Sequence, residues 1–252
     1  MMQIGIAGYG KMGKMIRQKA LEKGHQVAAV IDPSSDAEEI TSREISSAIL
    51  PLDVIIDFTD PQTLVDNVTL YGELQLPVVI GTTGWYDRLS EVATIVNRAG
   101  TGLIWSGNFS LGVNIFFQLV KAAAGLMERF EQYDVLVSEV HHSQKKDSPS
   151  GTAEMIGAIL LDALSRKMRI ITGNPEKPLC AEDLHISSSR VGEVPGIHRV
   201  VFDSEIDTIS IEHSARDRSG FAEGALLAAE WIVNKKGLYN IDDLMQAVIG
   251  GS

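Results

Sequence analysis

The sequence predicts an α/β fold: a Rossmann-type, parallel-sheet dinucleotide-binding domain followed by a second α+β domain with an open mixed sheet. Three observations predict it. As far as residue 110, short apolar strands alternate with helical stretches, the pattern of a parallel sheet. A GxGxxG run joins the first strand to the first helix. Beyond residue 110 a long apolar helix gives way to strands with few helices between them, which marks a separate layer.

The first strand is the apolar run Gln3–Ala7, and it leads directly into Gly8, Tyr9, Gly10, Lys11, Met12 and Gly13, then a helix to Lys23. In this setting the first glycine permits the tight turn, the second lets backbone approach a pyrophosphate, and the third lets helix pack on strand. Gly24 is a helix stop, and a second strand, Gln26–Ile31, ends at Asp32, about 20 residues past the loop, where the fingerprint expects an acid. A carboxylate there accepts hydrogen bonds from the ribose hydroxyls of NAD and repels the extra phosphate of NADP. Pro33, Ser34 and Ser35 follow, with no cation before Arg43, so NADH is the preferred cofactor and NADPH the alternative. Arg43 or Lys11 folded back over the adenosine end would make the choice dual.

Residues 53–58 form a third strand, 61–73 a helix, 77–80 a fourth strand, 86–98 a helix and 102–106 a fifth strand. Ligands of such sheets lie beyond the carboxyl ends of the strands. Gly81, Thr82 and Thr83 follow the fourth strand, and Ser106, Gly107, Asn108 and Phe109 close the fifth, so both clusters are candidates for the nicotinamide half of the cofactor. Taken singly, each is also ordinary turn chemistry.

A helix over residues 113–130 opens the second domain, and a strand over 134–140 runs into His141 and His142, followed by Lys145 and a Pro-Ser-Gly-Thr helix start at Ser150, Gly151 and Thr152. The helix continues from Ala153 to about residue 166. Unpaired amides and a positive dipole at such a start suit a carboxylate, a lysine adds charge, and an imidazole moves protons near neutral pH. Which histidine does which task depends on the strand pleat. The plain alternative is a solvated loop with a helix cap. Residues 186–190, 196–202 and 206–212 are expected as antiparallel strands, and the closing helices at 221–233 and 241–248 as a return to the first domain. The domains are thus expected at 1–110 with 217–252, for the dinucleotide, and at 111–216, for substrate and oligomerisation. Hinges near Ser110 and residues 216–220 would let them close.

Composition narrows the class. The 252 residues carry 44% hydrophobic side chains, enough for real cores, and a formal charge of −11 disfavours nucleic acid or an anionic membrane as partner. The single cysteine, Cys180, excludes an internal disulfide and any cysteine metal cluster, and no metal site is expected. With no signal-like start and no apolar run near the roughly 20 residues of a membrane span, a cytoplasmic location is expected.

In order, GYGKMG (8–13), DFTDP (57–61), GTTGW (81–85), GNFSLGVN (107–114) and EVHHSQKKDSPSGTA (139–153) resemble the motifs of the 4-hydroxy-tetrahydrodipicolinate reductase family, also called dihydrodipicolinate reductase, over nearly the whole chain. The resemblance implies reduction of a cyclic imine dicarboxylate in diaminopimelate and lysine synthesis. It implies His141 as acid/base, Lys145 as proton donor, and His142 with Ser150, Gly151 and Thr152 on the substrate carboxylate. It also implies cofactor contacts at the glycine loop, Asp32 and the two strand-end clusters, and a homotetramer paired through substrate-domain sheets. His198 and Arg218 match positions common in the family. Departures are the short segment 32–53, Pro33 where an arginine often stands, and Ser143 and Gln144 where basic residues are frequent. Rival readings are a related dehydrogenase acting on aspartate or another amino acid, which lacks the histidine-to-PSGT run, and a dinucleotide-sensing protein without turnover.

Overall fold

A computed structural model describes residues 1–34, 36–44 and 51–250. It divides into two compact units: Met1–Leu111 with the described residues from Ser219 onward, and Gly112–Arg218.

The first unit is built on β1 (Gln3–Ala7), α1 (Lys11–Glu22), β2 (Gln26–Ile31), β3 (Val54–Asp57), α2 (Leu64–Glu73), β4 (Val78–Ile80), α3 (Leu89–Ala99) and β5 (Gly102–Trp105). α6 (Ser219–Ile232), β11 (Gly237–Asn240) and α7 (Ile241–Gly250) complete it. The sheet order is β11-β5-β4-β3-β1-β2 with every pairing parallel. Strands such as β3, VIID, are buried at every position, as expected when helices cover both faces. One face packs Ile4, Ile6, Ile56 and Ile104 against α1 and α6, and the other packs Ile55, Val78 and Ile80 against α2 and α3. β11 was not expected from the sequence. GLYN is short and follows Gly237, whose φ of 109° marks a sharp entry, and only its pairing with β5 makes it a strand.

The second unit contains α4 (Leu111–Met127, whose first residue belongs to the other unit), β6 (Asp134–His141), α5 (Gly151–Ala163), β7 (Arg169–Thr172), β8 (Asp183–Arg190), β9 (Ile197–Asp203) and β10 (Thr208–Ser214). Its mixed sheet has the order β10-β9-β6-β8-β7. Val135, Val137, Ile186, Val200 and Phe202 share one core with Phe116, Val120, Ile156 and Leu160 of α4 and α5. Here the structure corrects the reading of 186–190 as antiparallel: β8 pairs parallel with β6 and with β7, and only β6–β9 and β9–β10 are antiparallel. The unforeseen strand β7 explains this. The chain leaves β6 through α5, lays β7 at the sheet edge, and returns through residues 173–182 so that β8 enters the gap in the same direction as β6. Burial alternates along β6, so Val135, Val137, Glu139 and His141 share the helix-covered face.

Candidate active site

In the first unit the three loop glycines differ in what surrounds them. Gly8 has φ 86°, and its amide donates to Ile31 O at 2.9 Å, tying the turn to β2. A Cβ on Gly13 would lie 2.1 Å from Gly8 O, so only glycine lets α1 sit this close to the turn. A Cβ on Gly10 would meet nothing within 4 Å. That exposed residue caps α1 with no side-chain hydrogen bond at the helix start, the arrangement that suits a pyrophosphate. Tyr9 is buried and its amide donates to Asp32 Oδ2 at 2.7 Å, while Asp32 Oδ1 accepts from the amide and hydroxyl of Ser34 at 2.8 and 3.0 Å. Lys11 is exposed, and Met12 packs on the core.

A cavity of about 550 Å³ opens beside this turn, lined by Gly8, Gly10, Asp32, Arg43 and Phe58 among others, a volume within the ~300–1,000 Å³ range of small-molecule sites. Arg43 lies on its wall with Nη1 on Pro33 O at 3.0 Å and Nη2 on Asp36 at 2.9 Å. The cation that would make cofactor choice dual is therefore at the Asp32 end. Ser35 lies outside the described residues.

Beyond β3 and β4 the clusters are held by a carboxylate that sequence reasoning passed over. Asp57 is fully buried; its Oδ1 accepts from the Thr59 amide and hydroxyl at 2.9 and 2.7 Å and from Thr82 at 3.3 Å, and its Oδ2 from Tyr71 at 2.6 Å and Asn67 at 3.3 Å. Burial first, and then the Asp57 carboxylate, push the Tyr71 phenol well above its ordinary value, so it stays a donor. A Cβ on Gly81 would strike the Phe58 ring at 2.1 Å, and Thr83 is exposed. Ser106 Oγ caps the next turn by donating to Asn108 O and accepting from the Asn108 amide, both at 2.9 Å. A Cβ on Gly107 would come within 2.9 Å of the Tyr86 hydroxyl. Phe109 is buried in the core against α6, with its carbonyl so close to Gly224 that a Cβ there would lie 1.7 Å from it.

In the second unit, sheet register assembles the chemistry. Opposite Glu139 stand His198 on β9 and Ser188 on β8, and opposite His141 stands Arg190. Glu139 is completely buried. One of its oxygens receives Arg190 Nη2 at 2.9 Å and the Ser150 amide at 3.3 Å, and the other is in short contact with His141 Nδ1. Burial, the largest single influence, pushes the Glu139 carboxyl up, but donors from Ser188, Arg190 and His141 outweigh it and hold it below its usual value. His141 is lowered, chiefly by burial, with Glu139 opposing and Lys145 and Arg190 adding to the fall. The His198 ring crosses that of His141 at 5.1 Å between centroids and is lowered to about 4, again first by burial. Its Nε2 lies 3.1 Å from Ser150 Oγ, which also accepts from the Ala153 amide at 3.2 Å and so caps α5.

Lys145 Nζ donates to Asp147 at 2.8 Å. That bond is the largest influence; with the backbone amides of Asp147 and Gly151 and the charge of Lys145 it outweighs burial, the next largest, and holds the Asp147 carboxyl below its ordinary value. A carboxylate thus sits beside Lys145 and the start of α5. Gly151 is exposed there and Thr152 half-buried, while His142 follows the strand, half-buried, with its carbonyl accepting from the Lys145 amide at 3.1 Å. A Cβ on Gly196 would come within 2.9 Å of His141 Nε2, so glycine keeps that edge of the ring clear. Arg218 makes no contact with this cluster among the described hydrogen bonds and ion pairs. Glu139, His141 and His198 bring one ligand atom each within 4.8 Å of one another. Arg190 already fills the carboxylate's other oxygen, and with Lys145 nearby the set is better matched to proton transfer than to a cation.

A parallel-sheet fold with a glycine-rich turn and, in the second unit, a buried imidazole–carboxylate pair with a lysine close by are the parts that a nicotinamide-dependent oxidoreductase needs. The family model described as dihydrodipicolinate reductase, N-terminus, matches residues 2–109, and the one described as dihydrodipicolinate reductase, C-terminus, matches 112–245. The chain belongs to the dihydrodipicolinate reductase family, whose members serve lysine and diaminopimelate biosynthesis. Curated relatives named 4-hydroxy-tetrahydrodipicolinate reductase include that of Christiangramia forsetii, 36% identical over 97% of this chain and 98% of its own, and that of Methanoregula boonei, 38% identical over 94% of each. Among solved structures, the dipicolinate-bound dihydrodipicolinate reductase from Paenisporosarcina sp. TG-14 shares the fold with a TM-score of 0.80 at 22% identity, over 95% of this chain and 97% of its own. No described helix is long and apolar enough to cross a membrane.

Proposed function

We propose that this protein reduces 4-hydroxy-tetrahydrodipicolinate to tetrahydrodipicolinate with NADH or NADPH, the former preferred. The observation that carries the reading, in a chain of this family, is that Glu139 takes both His141 and the Ser150 amide at the start of α5, with Lys145 near enough to act on the imidazole. The reduced nicotinamide, when bound, supplies the hydride. Gly10 and the first turn of α1 hold the pyrophosphate, Asp32 the adenosine ribose, and Gly81, Thr82, Thr83 and Ser106 to Phe109 the nicotinamide half. Gly151, Thr152, Ser150 and His142 hold one substrate carboxylate, with Lys145 exchanging Asp147 for it. His141 Nε2, kept clear by Gly196, and Lys145 are the groups that handle the proton. Asp32 favours NADH, and Arg43 on the same cavity wall keeps NADPH in use. We also read the protein as a cytoplasmic homotetramer paired through the sheets of its second unit, consistent with the half-buried Leu136, Val140 and Val201 and the exposed Ile209 there. Light scattering giving a fourfold mass tests it.

NADH oxidation with freshly generated substrate tests the activity. Replacing His141 or Lys145 by alanine is expected to lower kcat on the order of 10²-fold or more and to leave NADH affinity within about twofold. Wild-type protein that binds NADH without oxidising it would make this a sensor rather than a reductase.

A further inference from the structure

We propose that Glu139, braced by Arg190, is a positioning residue: it holds His141 in the one tautomer whose free Nε2 can receive and deliver the transferred proton. The inference rests on the reading of His141 as the acid/base group and adds a residue that this reading does not contain.

Period-two alternation along β6 makes Glu139 and His141 successive members of one column, below Val135 and Val137, so the carboxylate is aimed along the strand at the ring. A fully buried carboxylate persists only where donors surround it. Glu139 has Arg190, the Ser150 amide, Ser188 and His141. An ionised carboxylate only accepts, so the proton in the His141 contact belongs to Nδ1. The neutral ring then carries its lone pair on Nε2, the atom facing the gap that Gly196 leaves. Four charged or titratable groups surround the ring: Glu139 along its own strand, Arg190 from β8, His198 from β9 and Lys145 from the following turn. Of these only Glu139 is anionic, and it alone offsets the burial and positive charge that disfavour imidazolium. Arg190 keeps the carboxylate from rotating, through Nη2 on both Glu139 and Asp147 O, at 2.9 and 2.6 Å. A purely structural role is the weaker account. Buried ion pairs give little net stability relative to apolar packing, and the column above Glu139 is already valine.

Histidine-selective ¹⁵N labelling of the unliganded protein tests this without turnover, with the His141 signals assigned by their loss in His141→Gln. Neutral wild-type His141 is expected to be protonated at Nδ1. In Glu139→Gln its tautomer ratio is expected to move toward Nε2–H and its pKa to fall further. The kcat of that variant is expected to drop on the order of 10²-fold, with the acid/base limb of its pH profile shifted in the same direction and NADH affinity unchanged. Should Glu139→Gln fail to fold, the wild-type tautomer still decides: a neutral His141 protonated at Nε2 overturns the proposal. So does a folded Glu139→Gln with wild-type tautomer and pKa. Absence of substrate reduction by the wild type would instead defeat the proposed function, a separate outcome from either spectrum.

Discussion

The glycine loop yields a double dissociation. Gly13→Ala places a methyl carbon 2.1 Å from Gly8 O, against an ordinary contact distance of at least about 3.4 Å, so backbone must yield by more than an ångström. Neither side can give way easily, because Gly8 is bonded to Ile31 and α1 is packed through Ile16 and Ala20. Overpacking of this kind costs roughly 1–3 kcal/mol, which at ~2–4 °C per kcal/mol for a chain of this size lowers Tm by about 2–12 °C. Gly10→Ala meets nothing within 4 Å, and its φ of −73° and ψ of −159° suit alanine, so only a weaker helix cap, up to about 1 kcal/mol, is lost. In the proposed function the same methyl occupies the space of the pyrophosphate, and NADH affinity is expected to fall on the order of 10²-fold, about 2.7 kcal/mol. Differential scanning calorimetry of the free protein and fluorescence titration with NADH separate the two. A Gly10→Ala variant binding NADH like the wild type, or a Gly13→Ala variant melting like it, would refute the argument.

Three further outcomes follow from the site. His198 is lowered from 6.5 to about 4, so its stabilising neutral form is fully present above pH 6.5, and stability drains away as pH falls from 6.5 through 4, by roughly 3 kcal/mol in total; in urea melts across that window His198→Asn should have a visibly flatter slope, and equal slopes would disprove the assignment. Asp147→Asn removes the carboxylate resting on Lys145 and should tighten pyridine-2,6-dicarboxylate about two- to fivefold, the scale of an exposed ion pair; weaker binding by calorimetry would mean that Asp147 orients Lys145 rather than competing for it. Arg43→Ala should weaken NADPH on the order of tenfold, as loss of a charge-assisted bond does, and spare NADH; equal Kd changes for both would place the 2′-phosphate elsewhere.

Much of the candidate site was legible because its parts are local. The turn of Gly8 to Gly13, the acid closing β2, and the PSGT start of α5 each draw their chemistry from a few consecutive residues, whose spacing alone sets backbone geometry. Alternation along β6 was also legible, and it carries a signal that went unused: an acid, Glu139, in step with Val135, Val137 and His141 belongs to the buried column. Asp57 gave less notice, because its partners Thr82 and Tyr71 arrive from other elements.

The sequence by itself determined where the turns and helix starts fall, which polar residues are candidates for the site, and that side chains alternate along each strand, since helix caps, tight turns and the two-residue pleat are properties of neighbouring residues. Only the tertiary structure decided which strands lie beside β6. Arg190 and His198 reach Glu139 because β8 enters parallel and β9 antiparallel in one register, and that order is set by burying a whole sheet face against α4 and α5, a long-range condition that no local pattern encodes.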